Sequence, residues 1–480
     1  MDYRGLKVLI MGLGLHGGGL ASSRFLLERG AEVTVTDLRD EKTLMPSIEK
    51  LNSSCSDLKC KPIRYILGKH EIDDFKKADI VIKNPGVKPD SIYLQAAKRI
   101  ETDLSLFLSE SPARLFAVTG SKGKSGTASA LHHILSKDRK KGNAFLGGNI
   151  TVSPLSFLNS LTKDDDVVLE LSSFQLGDIK NCKHEDGRPL LKPAAAIMTT
   201  IMEDHLDRYG SMAQYIDDKR NIYRAQDSDC IIVAGDDDWG KSFRSESKAR
   251  PLIWSKSVLD ENQSGGWIDA DGIGLARLLN WEGISDEITE LVPYKILTPG
   301  KHQKLNFLSS ALAAYAFGVN AQIIRSALST YKGIEHRLEF FHEAKGVRYF
   351  NDSAATIPEA ATACISALTF IDDIKTPLIL ITGGTDKDLN FSPLAEAAVN
   401  VKEIILLEGS GSIKLAKLLD EKGVSYNGPF NNLDKAVRCA ADKAVKGDIV
   451  ALSPGCASFG MFLNEFDRGR KWKEAVLQLE

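Results

Sequence analysis

Six consecutive residues, Gly120-Ser121-Lys122-Gly123-Lys124-Ser125, have the types and spacing to hold a phosphate chain. They follow an apolar, β-rich run (LFAVT) and precede a helical pattern (ASALHHILSK). In such a turn the backbone amides converge on phosphate oxygens, Lys124 brings a point charge to the terminal phosphates, and the Ser125 hydroxyl suits Mg²⁺. The spacing is two residues shorter than the general phosphate-loop pattern, so an inert loop is the alternative. The order strand, glycine turn, lysine, hydroxyl, helix favours ATP.

Phosphoryl chemistry with Mg²⁺ needs hard oxygen ligands nearby. Glu170, in VVLELSSFQL, closes an apolar strand where an unpaired carboxylate would be costly, so it needs a cation or hydrogen bonds unless it faces solvent. Downstream, Glu203, Asp204, His205 and Asp207 cluster in TTIMEDHLDRYG after a further strand, and His205 is a metal or substrate candidate there. Lys219 sits in QYIDDKRNIYRA between Tyr215 and Tyr223; the spacing reads as an ordinary amphipathic helix with a solvated lysine. The seven cysteines include no C-x-x-C pair, and Cys182-Lys183-His184 lacks the further ligands of a zinc site.

A second glycine cluster, Gly12-Leu13-Gly14-Leu15-His16-Gly17, lies between a strand and a helix, with Asp37 closing the next strand. Taken alone this is a dinucleotide fingerprint that favours NAD, with a tight turn lacking a ligand as the bland alternative. Any strand-to-helix turn that binds a phosphate needs the same glycines.

The elements that must carry these residues alternate between β-rich runs and helix-period stretches, as in KVLIMG, LASSRFLLERG and EVTVTD. That pattern predicts α/β layers around mainly parallel sheets, with turns and edge strands in ENQSGGWIDADGIG. The alternation occurs three times, which predicts three domains at residues 1–112, 113–332 and 333–480. With 480 residues and 43% hydrophobic content, several packed cores are affordable, which excludes collagen-like, disordered and disulfide-stapled classes. Lys plus Arg number 61 against 64 Asp plus Glu, interspersed, so no basic field exists to bind nucleic acid. The odd cysteine count fits reduced thiols, and no apolar run of membrane-spanning length occurs. We therefore expect a cytoplasmic protein with no signal peptide and no membrane span; we also expect a monomer, although nothing in the sequence fixes the oligomeric state.

Taken in order, the glycine turn, the short phosphate loop, ELSSFQL, EDHLDRY, PGKHQKLN, EHRLE, NDSAAT, GGTDKD and SPGCASF resemble the Mur ligase family. The resemblance runs from about residue 5 to the end, and ELSSFQL with EDHLDRY is its most specific part. It overturns the NAD reading. It implies a Rossmann-like first domain that holds a UDP substrate, a central mononucleotide-binding domain for ATP and Mg²⁺, and a C-terminal Rossmann-like domain carrying the amino acid. The implied reaction adds glutamate to UDP-N-acetylmuramoyl-L-alanine with ATP cleaved to ADP and phosphate, as in peptidoglycan precursor synthesis.

Carried over by position, the resemblance implies UDP-substrate contacts at Leu15, His16, Asp37, Arg39, Asn149 and Gln175. It implies ATP contacts along Gly120, Ser121, Lys122, Gly123, Lys124, Ser125 and Gly126, and at Asn306, Arg337 and Asp352. Ser125, Glu170, His205 and Lys219 would serve Mg²⁺, with Lys219 matching a lysine that the family carbamylates. Thr356, Lys387, Ser458 and Phe459 would form the glutamate pocket, where a substrate with two carboxylates needs a cation such as Lys387. Lys122, Gly126, Gln303 and Ala354 depart from the family pattern, and Ala354 stands where many relatives have a lysine. The rival readings are a folylpolyglutamate-synthase-like ligase, a nucleotide-binding regulator without turnover, and an NAD-dependent dehydrogenase.

Overall fold

The structure, a computed structural model, describes residues 2–15, 17–58, 61–138, 142–150, 152–298, 301–371, 374–386 and 388–479, with the backbone alone at 206, 207, 301 and 302. The chain divides into two compact units, Met1–Val292 with Leu305–Arg325, and Pro293–Lys304 with Ser326–Glu480.

The first unit holds two sheets. In the first, five parallel strands run in the order Arg64–Leu67, Glu32–Asp37, Lys7–Met11, Ile80–Lys83, Ile100–Glu101. Strand order reverses between Lys7–Met11 and Ile80–Lys83, and at such a switch point ligands characteristically bind outside the C-terminal strand ends, where Gly12 and Asn84 begin their loops. Near-continuous apolar strands such as KVLIM and IVIK suit this layer because helices cover both faces.

The second sheet has nine strands, ordered Thr289–Val292, Gly274–Arg277, Gly265–Ile268, Arg250–Ser255, Ile231–Gly235, Ala195–Met198, Arg114–Thr119, Asp166–Glu170, Ala144–Gly148. The pairs from Ala144–Gly148 to Gly265–Ile268 are parallel, and the last two strands extend the edge antiparallel. The polar, glycine-rich region expected to form edge strands instead contributes interior ones: Gly265–Ile268 and Gly274–Arg277 are each paired on both sides, because Thr289–Val292 adds beyond them as the edge. The C-terminal ends of Arg114–Thr119, Asp166–Glu170 and Ala195–Met198 lie side by side and carry the phosphate loop, Glu170 and the 199–205 segment. One hydrophobic cluster joins the layers of both sheets, from Val8 and Ile10 through Phe107 to Leu169 and Ile232.

The second unit contains a six-stranded sheet ordered Glu339–Ala344, Val347–Asn351, Ile449–Leu452, Leu378–Thr382, Glu403–Leu407, Asn427–Phe430, parallel except for its first strand. Successive residues of LILIT feed opposite layers: Leu378 and Leu380 pack into one cluster, Ile379 and Ile381 into the other. No helix among the described residues is long and apolar enough to cross a membrane.

Candidate active site

The phosphate loop turns out of Arg114–Thr119 and enters the helix Lys124–Lys137. Two of its glycines are required by geometry. Gly120 (φ +150°) and Gly123 (φ +92°) have left-handed-side backbones, and a Cβ on them would strike Thr199 Oγ1 and the Asn306 side chain respectively. Lys124 Nζ donates to the carbonyls of Gly120 (3.0 Å) and Ser121 (2.9 Å), so its charge is held over the loop. The loop is fixed from behind. Thr199 Oγ1 donates to the Lys122 carbonyl at 2.7 Å, and Ser121 Oγ sits 2.8 Å from Tyr215 Oη while accepting from the Met202 amide. Lys122 is exposed, and Ser125 and Gly126 are half-buried at the helix start.

Glu170 ends the neighbouring strand and is 1% exposed. Its Oε1 accepts from Asn149 Nδ2 at 3.0 Å, whereas its Oε2 is buried with no hydrogen-bond partner. A buried carboxylate oxygen left unpaired is expensive, and a cation is the usual remedy. Lys219, on the helix Met212–Arg220, is 1% exposed and donates from Nζ to the Gly120 carbonyl at 2.7 Å, with Nζ 4.5 Å above the Tyr215 ring. The solvated lysine expected from helical spacing is thereby corrected: Lys219 lies on the buried face of this helix with Tyr215 and Ile216, against the phosphate loop. Burial, and then the charge of Lys124, bring the Lys219 ammonium down to about 7 from its usual 10.5. Near pH 7 a substantial fraction of it is therefore uncharged.

His205 has a left-handed backbone (φ 54°) and a half-exposed ring 4.9 Å from Phe174, with Nε2 3.8 Å from Asp204 Oδ1. Among the described residues no group of three or more His, Cys, Asp or Glu stands ready-made for a metal. Mg²⁺ characteristically takes only one or two carboxylates and completes its shell with phosphates and water. The orphaned Glu170 Oε2, with the Ser125 hydroxyl at the start of the neighbouring helix, fits a site of that kind.

At the first sheet, Asp37 is buried. Its Oδ2 accepts from the Gly14 amide (3.1 Å) and its Oδ1 from the Arg39 amide (2.9 Å), so this acid shapes the glycine turn. Leu15, Arg39 and Asn149 are exposed. Gln175 is 6% exposed and accepts through Oε1 from the Ser172 amide and hydroxyl, capping the helix Ser173–Asp178. His16 and Lys387 lie outside the described residues.

In the second unit, segments 351–356 and 453–458 meet at the C-terminal ends of the paired strands Val347–Asn351 and Ile449–Leu452. Asp352 is buried there, accepting from Ser453 Oγ (2.6 Å) and the Leu338 amide (3.1 Å); burial pushes its carboxyl up to about 6. Ser458 is buried, Thr356 half-buried, and Phe459 and Arg337 exposed. Asn306 belongs to the first unit, on the helix Lys301–Ala316 beside Gly123.

Sequence reasoning missed several residues. Tyr215 ties the phosphate loop to the helix of Lys219, and its i, i+4 spacing from Lys219 was visible. Arg468, 1% exposed, donates to the Cys456 and Ser353 carbonyls; Gly469, where a Cβ would strike His336 and Ser353, was the available signal in an otherwise charged helix. Arg208 and the Lys83–Asp178 pair carried no signal in isolation.

Three family models match the chain: a MurD-like N-terminal domain of Mur ligases over 6–104, the Mur ligase middle domain over 118–314, and the glutamate ligase domain of Mur ligases over 336–456. The chain is 39% identical to the UDP-N-acetylmuramoylalanine--D-glutamate ligase of Borreliella burgdorferi strain B31, covering 100% of this chain and 99% of that one. It is also 39% identical to the ligase of the same name from Treponema pallidum, with 98% of each covered. Among solved structures it is similar in fold to the UDP-N-acetylmuramate-alanine ligase MurC of Thermotoga maritima, at TM-score 0.58 and 18% identity, covering 99% of this chain and 100% of that one. The MurF ligase of the same organism, in complex with ADP, matches at TM-score 0.53 and 19% identity, covering 99% and 95%. With a phosphate loop, a buried unpaired carboxylate and a buried amine gathered at one sheet end, and with relatives matching throughout its length, the chain belongs to the Mur ligase family.

Proposed function

We propose that this chain is an ATP-dependent ligase that joins D-glutamate to UDP-N-acetylmuramoyl-L-alanine in cytoplasmic peptidoglycan precursor synthesis. The observation that carries this reading is the 39% identity, over essentially the whole chain, with ligases bearing that name. Those names also favour D- over L-glutamate. The three domains are assigned to 1–112 for the UDP substrate, 113–332 for ATP and 333–480 for the amino acid.

In the proposed reaction a carboxylate oxygen of the alanyl group attacks the γ-phosphorus of ATP and ADP leaves. The glutamate amine then adds to the acyl carbon of the acyl phosphate, and inorganic phosphate departs with that oxygen. No protein nucleophile is needed, so the work is positional and electrostatic. The loop Gly120–Gly126 cradles the phosphates, and Lys124 moves from its own loop carbonyls to the terminal phosphates. Ser125, Glu170, His205 and Lys219 would hold Mg²⁺, whose charge, when bound, offsets the repulsion between carboxylate and phosphate. Lys219 suits this because an amine that is partly neutral near pH 7 can add CO₂ and release a proton, becoming an anion.

Leu15, His16, Asp37, Arg39, Asn149 and Gln175 are assigned to the UDP substrate; Asn306, Arg337 and Asp352 to the nucleotide; and Thr356, Lys387, Ser458 and Phe459 to glutamate. Asp37 would act chiefly by fixing the turn it already holds, and Gln175 would offer its amide nitrogen. ADP release that requires both the UDP substrate and D-glutamate supports the reading. Full-rate release without the amino acid, or equal incorporation of labelled L-glutamate, would refute it.

A further inference from the structure

The loop after Ile80–Lys83 is held to the phosphate-binding layer at two places. Lys83, the last residue of that strand, forms a 2.5 Å ion pair with Asp178 at the end of the helix Ser173–Asp178; the two side chains are 4% and 8% exposed. Arg208, three residues after His205, donates from Nη1 to the Gly86 carbonyl (3.0 Å) and from Nη2 to those of Pro85 (3.3 Å) and Val87 (3.2 Å). Its guanidinium lies 3.7 Å over the Phe174 ring, and that ring also touches the His205 imidazole. On its other side the same loop abuts the glycine turn: a Cβ on Gly12 would meet Asn84 at 3.4 Å, and the Asn84 side chain accepts from the Gly86 amide.

A planar fork with several fixed donors can bind three successive carbonyls and stack on a ring, which a lysine cannot do. Successive carbonyls pointing at one cation form a rigid strut. We infer that Arg208 is a positioning residue: by clamping loop 84–87 to the Phe174–His205 wall, it sets the span between the glycine turn of the first sheet and the phosphate loop of the second. This inference rests on the proposed function, in which a substrate anchored at the first sheet presents its carboxylate to a phosphate held at the second. A misplacement of about 1 Å along that span is worth about 100-fold in rate. Lys83 and Asp178 fix the near end of the strut.

The test uses the full chain as wild type, Arg208→Lys and Arg208→Ala. Steady-state kinetics are combined with hydroxylamine trapping of the acyl phosphate as a hydroxamate in the absence of glutamate. In Arg208→Ala we expect kcat and hydroxamate formation to fall together by about 100-fold, the KM for ATP to stay within about twofold, and Arg208→Lys to fall between. Should Arg208→Ala not fold, Arg208→Lys carries the same test with a smaller drop. Unchanged kcat in both variants overturns the inference, as does a drop matched by equal loss of ATP binding, which marks a mere structural prop. A wild type that forms neither product nor hydroxamate instead refutes the proposed function.

Discussion

Each unit buries a cation and a carboxylate, and the two treat them oppositely. In the second unit, both terminal nitrogens of Arg468 donate to backbone carbonyls, with only Nε left without a partner, and Asp352 accepts from Ser453 and the Leu338 amide. In the first, Lys219 has one carbonyl and the face of the Tyr215 ring for company, and Glu170 keeps one oxygen without a partner. Both cations are 1% exposed, yet burial leaves Arg468 at about 10, still charged, while it brings Lys219 to about 7. A guanidinium cannot readily give up its proton, whereas an amine can. A guanidinium held by two carbonyls stays a fixed part of the platform even with its Nε unpartnered, whereas an amine that can lose its proton and a carboxylate oxygen left open are suited to something that arrives later.

The contrast breaks if activity and stability do not separate between the units. Lys219→Met should lower turnover by about 1,000-fold while leaving the melting temperature unchanged or higher, because a buried cation is replaced by an apolar chain of similar length. Its counterpart Arg468→Met should cost about 4 kcal/mol in denaturant unfolding, since two charge-assisted hydrogen bonds vanish and two carbonyls lose their donor. Asp352 offers a pH test. Its folded carboxyl titrates near 6 against 3.8 unfolded, so the stabilisation is full below pH 3.8 and is lost as pH rises through about 6. The wild type minus Asp352→Asn difference in unfolding free energy should therefore decline across that window by about 3 kcal/mol. A flat difference would contradict the burial argument. Glu170→Gln should lower turnover by about 100-fold and raise the Mg²⁺ concentration needed for half-maximal rate, with no loss of unfolding free energy.

The phosphate loop was legible because its chemistry is local: six consecutive residues contain both glycines and the lysine. The alternation of strands and helices was legible for the same reason, whereas the glycine-rich region after residue 260 reads as edge strands but lies inside the sheet, because the later strand Thr289–Val292 pairs beyond it. Lys219 was not, since its burial depends on Gly120, which is 99 residues away. Periodicity places side chains on a helix face but does not say what that face meets. Asp352 reads from the resemblance as a nucleotide contact, but Ser453, 101 residues on, accounts for one of its oxygens. Gln175 likewise reads as a substrate contact, and its Oε1 is spent on a capping box that the sequence S-S-F-Q already spelled out.

Transfer of an oxygen atom tests the central claim most directly. UDP-N-acetylmuramoyl-L-alanine carrying ¹⁸O in its carboxylate, turned over with ATP and D-glutamate, should deliver one ¹⁸O into each inorganic phosphate released. Phosphate that contains only solvent or ATP oxygen would contradict a carboxylate attack on the nucleotide held by the loop around Lys124.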